Sequence, residues 1–331
     1  MRPPTRTAAG LIAMATAMTL LLPGTATAAT PETAATAAPS PFQAISHPAG
    51  DVSAASVLNY WTPERMAKAK PLDRSLNGPA AGPDVTANAV TNAKIRPNPK
   101  TKLNRTTGKL FLVQDGYDGY CSATVTTAGN KRSVWTAGHC VHSGRGGDWS
   151  TYGLFVPAYH NGKAPFQRWV VDRWVTTYGW ISNPTPQAFA YDIAAFTVKN
   201  KPKNKKGKRK LQQVVGGKPV KIKPARKLGI LNLGYPHLFL PSGKPTNTRK
   251  MYYCQGPSTP YNIAGKGWPV GLATRCTMGN GASGGGWLHK YGKTWYIVGL
   301  NSAHHRHNKI TFSPYHGPAA RSVLKTVRSF K

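Results

Sequence analysis

The sequence predicts an all-β protein, built as a barrel or a sandwich. Three observations carry this reading. Short runs rich in Val, Ile, Leu, Thr, Tyr and Trp recur from Lys109 onward. Gly, Pro and Asn punctuate nearly all of them, as turn residues do between short strands. Helical spacing of apolar residues marks the last segment, 319–330. Many short strands with turn signals, and no internal repeat of fixed period, fit an antiparallel barrel or two packed sheets.

The elements follow in order. Residues 109–113 (KLFLV) read as a strand, 116–119 as a turn and 121–126 (CSATVT) as a second strand. Residues 128–131 form a turn and 133–136 (SVWT) a third strand. Further β-prone runs lie at 154–156, 169–174, 193–198, 219–222, 229–233, 250–253, 294–300 and 310–312. Residues 319–330 place Val323, Leu324 and Val327 at helical spacing, with Arg321, Lys325 and Arg328 on other faces, so a C-terminal helix closes the chain.

What precedes these strands has another character. Arg2 and Arg6 are followed by an apolar run over 11–22, then Pro23-Gly24 and the small-x-small triplet Ala26-Thr27-Ala28. Residues 1–28 therefore read as a secretory signal peptide. The apolar run is too short to span a bilayer, and no later stretch is long enough. The expected product is an exported, soluble, extracellular protein. Residues 29–104 are rich in Ala, Pro, Thr and Ser, and only 52–66, with Val57, Leu58, Tyr60 and Trp61, offers a short helix. Such a segment builds little core. It reads as a pro-segment, with a disordered linker that stays attached as the alternative. Residues 105–331 form the compact domain.

Composition bounds the partners. The 331 residues are 40% hydrophobic, enough for a sizeable core. Lys and Arg number 44 against 10 acids, a formal charge of +34. That balance attracts polyanions and anionic surfaces and says nothing about fold. The densest part, Lys199 to Lys210, holds eight Lys and Arg in twelve residues, with Pro202 and Gly207 and no apolar period. It is a solvated loop, read either as a plain charged surface or as a docking site for an anionic polymer. The nine Trp sit in strand-like runs and turns, which favours packing over base stacking. No specific nucleic-acid partner is expected. Nor is a cofactor, and the chain is expected to act as a monomer.

Four cysteines, Cys121, Cys140, Cys254 and Cys276, in an exported chain imply two disulfides. Three pairings are open. The sequential one would close two loops of about 20 residues, each contributing roughly 3 kcal/mol in the chain-entropy model. No C-x2-C spacing suggests zinc instead.

The chemistry centres on Gly281-Ala282-Ser283-Gly284-Gly285-Gly286. A serine hydroxyl becomes a nucleophile when a base takes its proton and backbone N–H groups meet the oxyanion that forms. Glycines permit the tight turn and the close approach of substrate. Alone, the stretch reads equally well as a flexible loop. Two other segments answer it. In Thr136-Ala137-Gly138-His139-Cys140 a histidine sits beside a cysteine, and in Tyr191-Asp192-Ile193-Ala194-Ala195-Phe196 an acid heads an apolar strand. From Lys109 onward the only acids are Asp115, Asp118, Asp148, Asp172 and Asp192. Only Asp192 directly heads such a strand, and Asp172 is the fallback.

The order His139, Asp192, Ser283 is that of the chymotrypsin-like double barrel, not of α/β-hydrolases or subtilisins. With T-A-G-H-C, Y-D-I-A, G-A-S-G-G and the C-S-A strand at Cys121, the chain resembles the chymotrypsin-fold serine peptidases over about residues 107–331, close to the secreted bacterial type related to glutamyl endopeptidases. The resemblance implies two six-stranded antiparallel β-barrels, with His139 and Asp192 on the first and Ser283 on the second. It implies a Cys121–Cys140 disulfide and a secreted endopeptidase acting through an acyl-enzyme. Ser283 would be the nucleophile, His139 the base and Asp192 its orienting acid, with an oxyanion hole from the N–H groups of Gly281 and Ser283.

Three positions depart from the pattern. Ala282 stands where many relatives carry the Asp that pairs with a new N-terminus on activation. Gly286 stands where Pro is common, and Gly138 where Ala is. By analogy the S1 pocket is lined near Thr277 and Asn280 and by Asn301 and Ser302. It has no acid at its base, which disfavours a Lys/Arg preference. Asn301 stands where glutamyl endopeptidases carry a histidine, with His304 and His305 three and four places on. His304-His305-Arg306-His307 has no carboxylate or cysteine nearby and reads as a polar loop, not a metal site. The competing function is a catalytically silent peptidase fold that binds an anionic polymer.

Overall fold

The computed structural model describes residues 38–72, 88–201, 210–237, 247–305 and 309–331. The expected signal peptide and residues 202–209 of the basic loop lie outside the described residues. The strands are β1 (Ala44–Pro48), β2 (Lys70–Pro71), β3 (Lys94–Ile95), β4 (Thr107–Gln114), β5 (Tyr117–Val125), β6 (Ser133–Thr136), β7 (Thr151–Pro157), β8 (Trp169–Thr177) and β9 (Ala194–Val198) in the first half. The second half adds β10 (Gly229–Gly234), β11 (Tyr252–Pro257), β12 (Thr259–Tyr261), β13 (Gly271–Arg275), β14 (Gly286–Tyr291), β15 (Thr294–Leu300), β16 (His304–His305) and β17 (Ile310–Ser313).

The first half closes into a six-stranded antiparallel barrel. β4 pairs with β5, β5 with β6, β6 with β9, β9 with β8, β8 with β7, and β7 returns to β4. Its interior is aromatic. Phe196 lies edge-on to Phe155 and Trp174, with ring centroids 5.8 and 5.5 Å away. Burial along β4 and β9 is nearly continuous rather than alternating. A barrel strand shows that pattern when its outer face is also covered.

Part of the cover comes from the segment ahead of the barrel. β1 lies antiparallel to β8. Two short helices follow, Ala54–Tyr60 and Pro63–Lys68, capped by the Ser53 and Thr62 hydroxyls and the second opened by Pro63. Val57 of the first helix, Trp61 just after it and Met66 of the second enter the main core. The Trp61 indole donates to the Tyr152 carbonyl at 2.6 Å, and its ring meets Phe111 at 5.4 Å. Arg65 holds Asp118, with the Tyr60 hydroxyl on the same carboxylate at 2.7 Å. β2 then lies parallel to β5, with the Leu72 N–H on the Tyr120 carbonyl. The expectation of little core in this segment needs correction. Its own spacing is weak, but the barrel wall supplies the partner surface.

The second half forms two sheets, β15-β14-β10-β11-β3 and β12-β13-β17-β16. Side-chain bonds join them. Thr274 Oγ1 donates to the Pro257 carbonyl between β13 and β11, and the Leu300 N–H donates to Ser313 Oγ between β15 and β17, each at 2.9 Å. The run at 219–222 is not a strand; only Val220 bridges to Ile297. β13 and β14, unread in the sequence, complete the ladder. The helix Pro318–Ser329 returns to the first barrel, where Val323 and Val327 are buried and the Ser322 hydroxyl accepts from Ala44 N at 2.9 Å. The fold is thus mostly β, chymotrypsin-like in having two β halves and a C-terminal helix.

Candidate active site

Adjacent strands bring the first two residues together. β6 ends at Thr136 and β9 begins at Ala194, and these two are paired. His139 follows β6 on the 3-10 turn Gly138–Cys140. Asp192 precedes β9, at the end of the turn Gln187–Tyr191. Both therefore leave the same end of one strand pair. The Cys121–Cys140 disulfide ties the histidine turn back to β5. The second disulfide joins Cys254 to Cys276.

His139 Nδ1 lies 2.8 Å from Asp192 Oδ2, and the His139 backbone N–H donates to Asp192 Oδ1 at 2.7 Å. The Ser302 hydroxyl donates to the same carboxylate. Neither ring nor carboxylate has measurable exposure. Burial works to raise the Asp192 pKa. The charge of His139 and the hydrogen bonds from its ring, from Ser302 and from the His139 N–H outweigh it, and hold the carboxyl below its ordinary value. His139 Nε2 is buried with no hydrogen-bond partner among the described residues. The sulfurs beside this ring belong to the disulfide, so Cys121, His139 and Cys140 offer no set of metal ligands.

The glycine-rich stretch is pinned from both halves. Ser122 donates its N–H to the Ser283 carbonyl at 2.7 Å and its hydroxyl to the Gly281 carbonyl at 2.8 Å. Gly284 has φ +79°, and a Cβ there would stand about 2.0 Å from Thr136 Oγ1 and 3.0 Å from Ala137 N. The loop thus presses on the end of β6, three residues before His139. Gly281 has φ +83°, and a Cβ would enter the Tyr120 ring at 2.4 Å. The N–H groups of Ala282, Gly284 and Gly285 are bonded to the Gly279, Asn301 and Ala282 carbonyls. Among the described residues, those of Gly281 and Ser283 are not so engaged. Ser283 itself is 3% exposed. The Ser283 loop, with its two unengaged N–H groups, therefore lies against the strand end that leads into the His139 turn.

Ala282 packs beside the Cys254–Cys276 disulfide, Met278 and Tyr252. This apolar cluster has no counter-charge, so it suits a methyl and would strand a carboxylate.

The residues expected to line S1 divide. Thr277 Oγ1 accepts from Ala93 N at 2.7 Å, and Asn280 Oδ1 is buried and unpartnered. Asn301 braces the loop. Its side chain bonds Asn232, the Trp287 indole and the Ala282 carbonyl. Ser302 is turned to Asp192. Sequence could not foresee this, since a serine after a strand has no local mark of its partner. His304 and His305 are buried in β16 against β17, not in a polar loop, and His305 Nε2 lies 3.2 Å from the Tyr261 hydroxyl. Residues 306–308 lie outside the described residues. Asp172, the fallback acid, pairs with Arg132.

No protein-family model matches the chain. No curated protein matches it either. Among solved structures it is similar to the protease Anisep from Arthrobacter nicotinovorans, at 31% identity over 68% of this chain and 96% of that one, with a TM-score of 0.56. It is similar to the thermostable serine protease AL20 from an extremophilic microorganism, at 27% identity over 70% of this chain and 100% of that one, TM-score 0.59. A Glu endopeptidase in complex with MPD, at 17% identity over 72% of this chain and 97% of that one, TM-score 0.55, shares the fold.

Proposed function

Because this chain belongs to the chymotrypsin-fold serine proteases related to glutamyl endopeptidases, we propose that it is a secreted endopeptidase whose catalytic groups are Ser283, His139 and Asp192. The observation that carries this is the buried His139–Asp192 pair, with the unpartnered Nε2 beside the Ser283 loop. Ser283 Oγ attacks the scissile carbonyl as His139 Nε2 takes its proton. The negative charge on the carbonyl oxygen is met by the Gly281 and Ser283 N–H groups. His139 returns the proton to the leaving amine as the C–N bond breaks, leaving an acyl-enzyme that water hydrolyses by the same proton relay. Asp192 keeps the proton of the neutral imidazole on Nδ1 and stabilises the imidazolium.

Residues 1–28 and the two disulfides support export. The segment ahead of the barrel acts as the pro-segment. Its strand β2 lies on β5 beside Tyr120, whose ring abuts Gly281. Residues 88–104 bond to the second half through Thr91, Ala93 and β3, which supports a removable part that ends before Asn88. Ala282 means that activation proceeds without an ion pair to the new N-terminus.

A fluorophosphonate probe tests the reading. The processed protein is expected to be labelled at Ser283 and to cleave a proteome-derived peptide library, with both lost in Ser283→Ala. A folded, processed protein that ignores the probe and cleaves nothing would leave the second reading, anionic-polymer binding on a silent peptidase fold, which draws on the charge of +34 and the 199–210 loop.

A further inference from the structure

Every Asp and Glu of this chain lies before Ile193, while residues 193–331 carry 26 Lys and Arg and no acid. The ion pairs formed among the described residues, Arg65–Asp118, Arg132–Asp172 and His139–Asp192, all draw on acids of the first half. The cations of the second half have no Asp or Glu of their own half to meet.

Two of them, Lys218 and Lys293, meet Lys102 and Arg105 of the first half at one cavity. A hollow of about 470 Å³ is walled by Lys102, Arg105, Lys218 and Lys293, together with Thr106 and Trp295, and no acid lines it. Lys102 and Lys293 stand exposed at its rim, while Lys218 is buried in its floor. The Lys218 ammonium is aimed by the Leu103 carbonyl at 2.7 Å and by Thr106 Oγ1. Arg105 is oriented through its Nε, which donates to the Val215 carbonyl at 3.0 Å. Lys102, Arg105 and Lys293 wall one hollow with no acid to offset them, and Lys218 adds a further charge when protonated; like charges on one wall repel, the more so in a partly buried setting. A polyvalent anion removes the repulsion.

We propose that this cavity, whose lining holds none of His139, Asp192 or Ser283, is a binding site for a phosphate-bearing polyanion. Phosphate fits better than carboxylate on two counts. A terminal phosphate can carry more than one charge, and the oxygens of any phosphate can take a guanidinium fork and more than one ammonium. Trp295, partly buried at the wall, offers an apolar face to whatever links the phosphates. Burial, then the Arg105 charge, pushes the Lys218 pKa down to about 7. Its remaining cavity neighbours, Lys102 and Lys293, add no negative charge. An anion beside Lys218 raises that pKa again, so binding above pH 7 takes up a proton.

Calorimetry on the full chain carrying Ser283→Ala tests this whatever the fate of the catalytic reading. Tripolyphosphate is expected to bind at one site per chain, with proton uptake at pH 8. The double variant Lys102→Ala/Lys293→Ala, at two exposed positions, is expected to weaken binding at least tenfold. Lys266→Ala/Lys325→Ala, which removes the same charge from exposed sites elsewhere, is expected to stay within about twofold. A thymidine oligonucleotide of equal charge tells a phosphodiester polymer from a polyphosphate chain, and binding of either at the cavity upholds the site. Equal weakening by both variant pairs overturns the proposal, as does polyglutamate binding as tightly or no stoichiometric binding of either phosphate probe.

Discussion

The two halves of the molecule do different work with different construction. The first is a hydrogen-bonded ring of six strands whose end carries His139 and Asp192, a buried pair that only a rigid frame can hold at 2.8 Å. The second is two sheets stitched by side chains, and it brings Ser283 on a glycine-rich loop. A buried carboxylate needs several donors fixed around it, which strand ends on a closed barrel supply. A nucleophile beside unengaged N–H groups needs positive-φ turns, which suit a loop. The halves meet where Ser302 reaches Asp192, where Ser122 holds the Ser283 loop, and where the Trp135 indole donates to His316.

This division is breakable at its rigid end first. Asp192→Asn is expected to lower kcat by about four orders of magnitude, since the wrong imidazole tautomer is then favoured. Asp172→Asn, at the ion pair with Arg132, is expected to leave kcat within a few fold. Peptide hydrolysis by the processed variants measures both, and similar losses would erase the distinction between the two acids.

Next in size is the cover of the first barrel. Trp61→Ala is expected to cost ~3–5 kcal/mol in urea unfolding of the full chain. Trp268→Ala, at a partly exposed ring in the second half, is expected to cost clearly less. The reverse order would mean that the arm adds no stability to the barrel it covers.

The junction is sharpened by pH. Burial pushes the His316 pKa down to about 4, so the folded protein keeps this ring neutral while the unfolded chain protonates it below about 6.5. The unfolded state then binds more protons, and stability falls as pH drops from 6.5 to 4, by up to ~3 kcal/mol from this group. His316→Gln should flatten that slope. The lowered Asp192 pKa acts in another window. Its contribution is present above the ordinary carboxylate value and is lost only as pH falls through its own depressed pKa. Urea midpoints at pH 7, 5.5 and 4.5 separate the two.

The smallest expected effect is at Ser302. Ser302→Ala is expected to lower kcat about tenfold, the loss of one hydrogen bond to a charged group. An unchanged rate would place the whole support of Asp192 within the first half.

Much of the site was legible because its chemistry is local. A histidine beside a half-cystine, an acid heading an apolar strand and a serine among glycines each stand out within six residues. Other features were not legible, for reasons seen at particular residues. Trp61 sits in a composition typical of linkers, and only the barrel wall makes it core. Asn301 and Ser302 differ in role by the direction of a strand end, and His304 and His305 are buried through a two-residue strand too short to show a period.

The sequence by itself determined the β class, the C-terminal helix, and the candidate residues with their order along the chain. Alternation, turn residues and reactive side chains act over a few positions and leave their pattern in the string. Only the tertiary structure decided that β6 and β9 are neighbours, that Ser302 crosses to Asp192, that the segment ahead of the barrel is packed rather than loose, and that Lys218 and Lys293 join Lys102 and Arg105 around one cavity. Each of these depends on contacts between residues far apart in the chain, which no local pattern encodes.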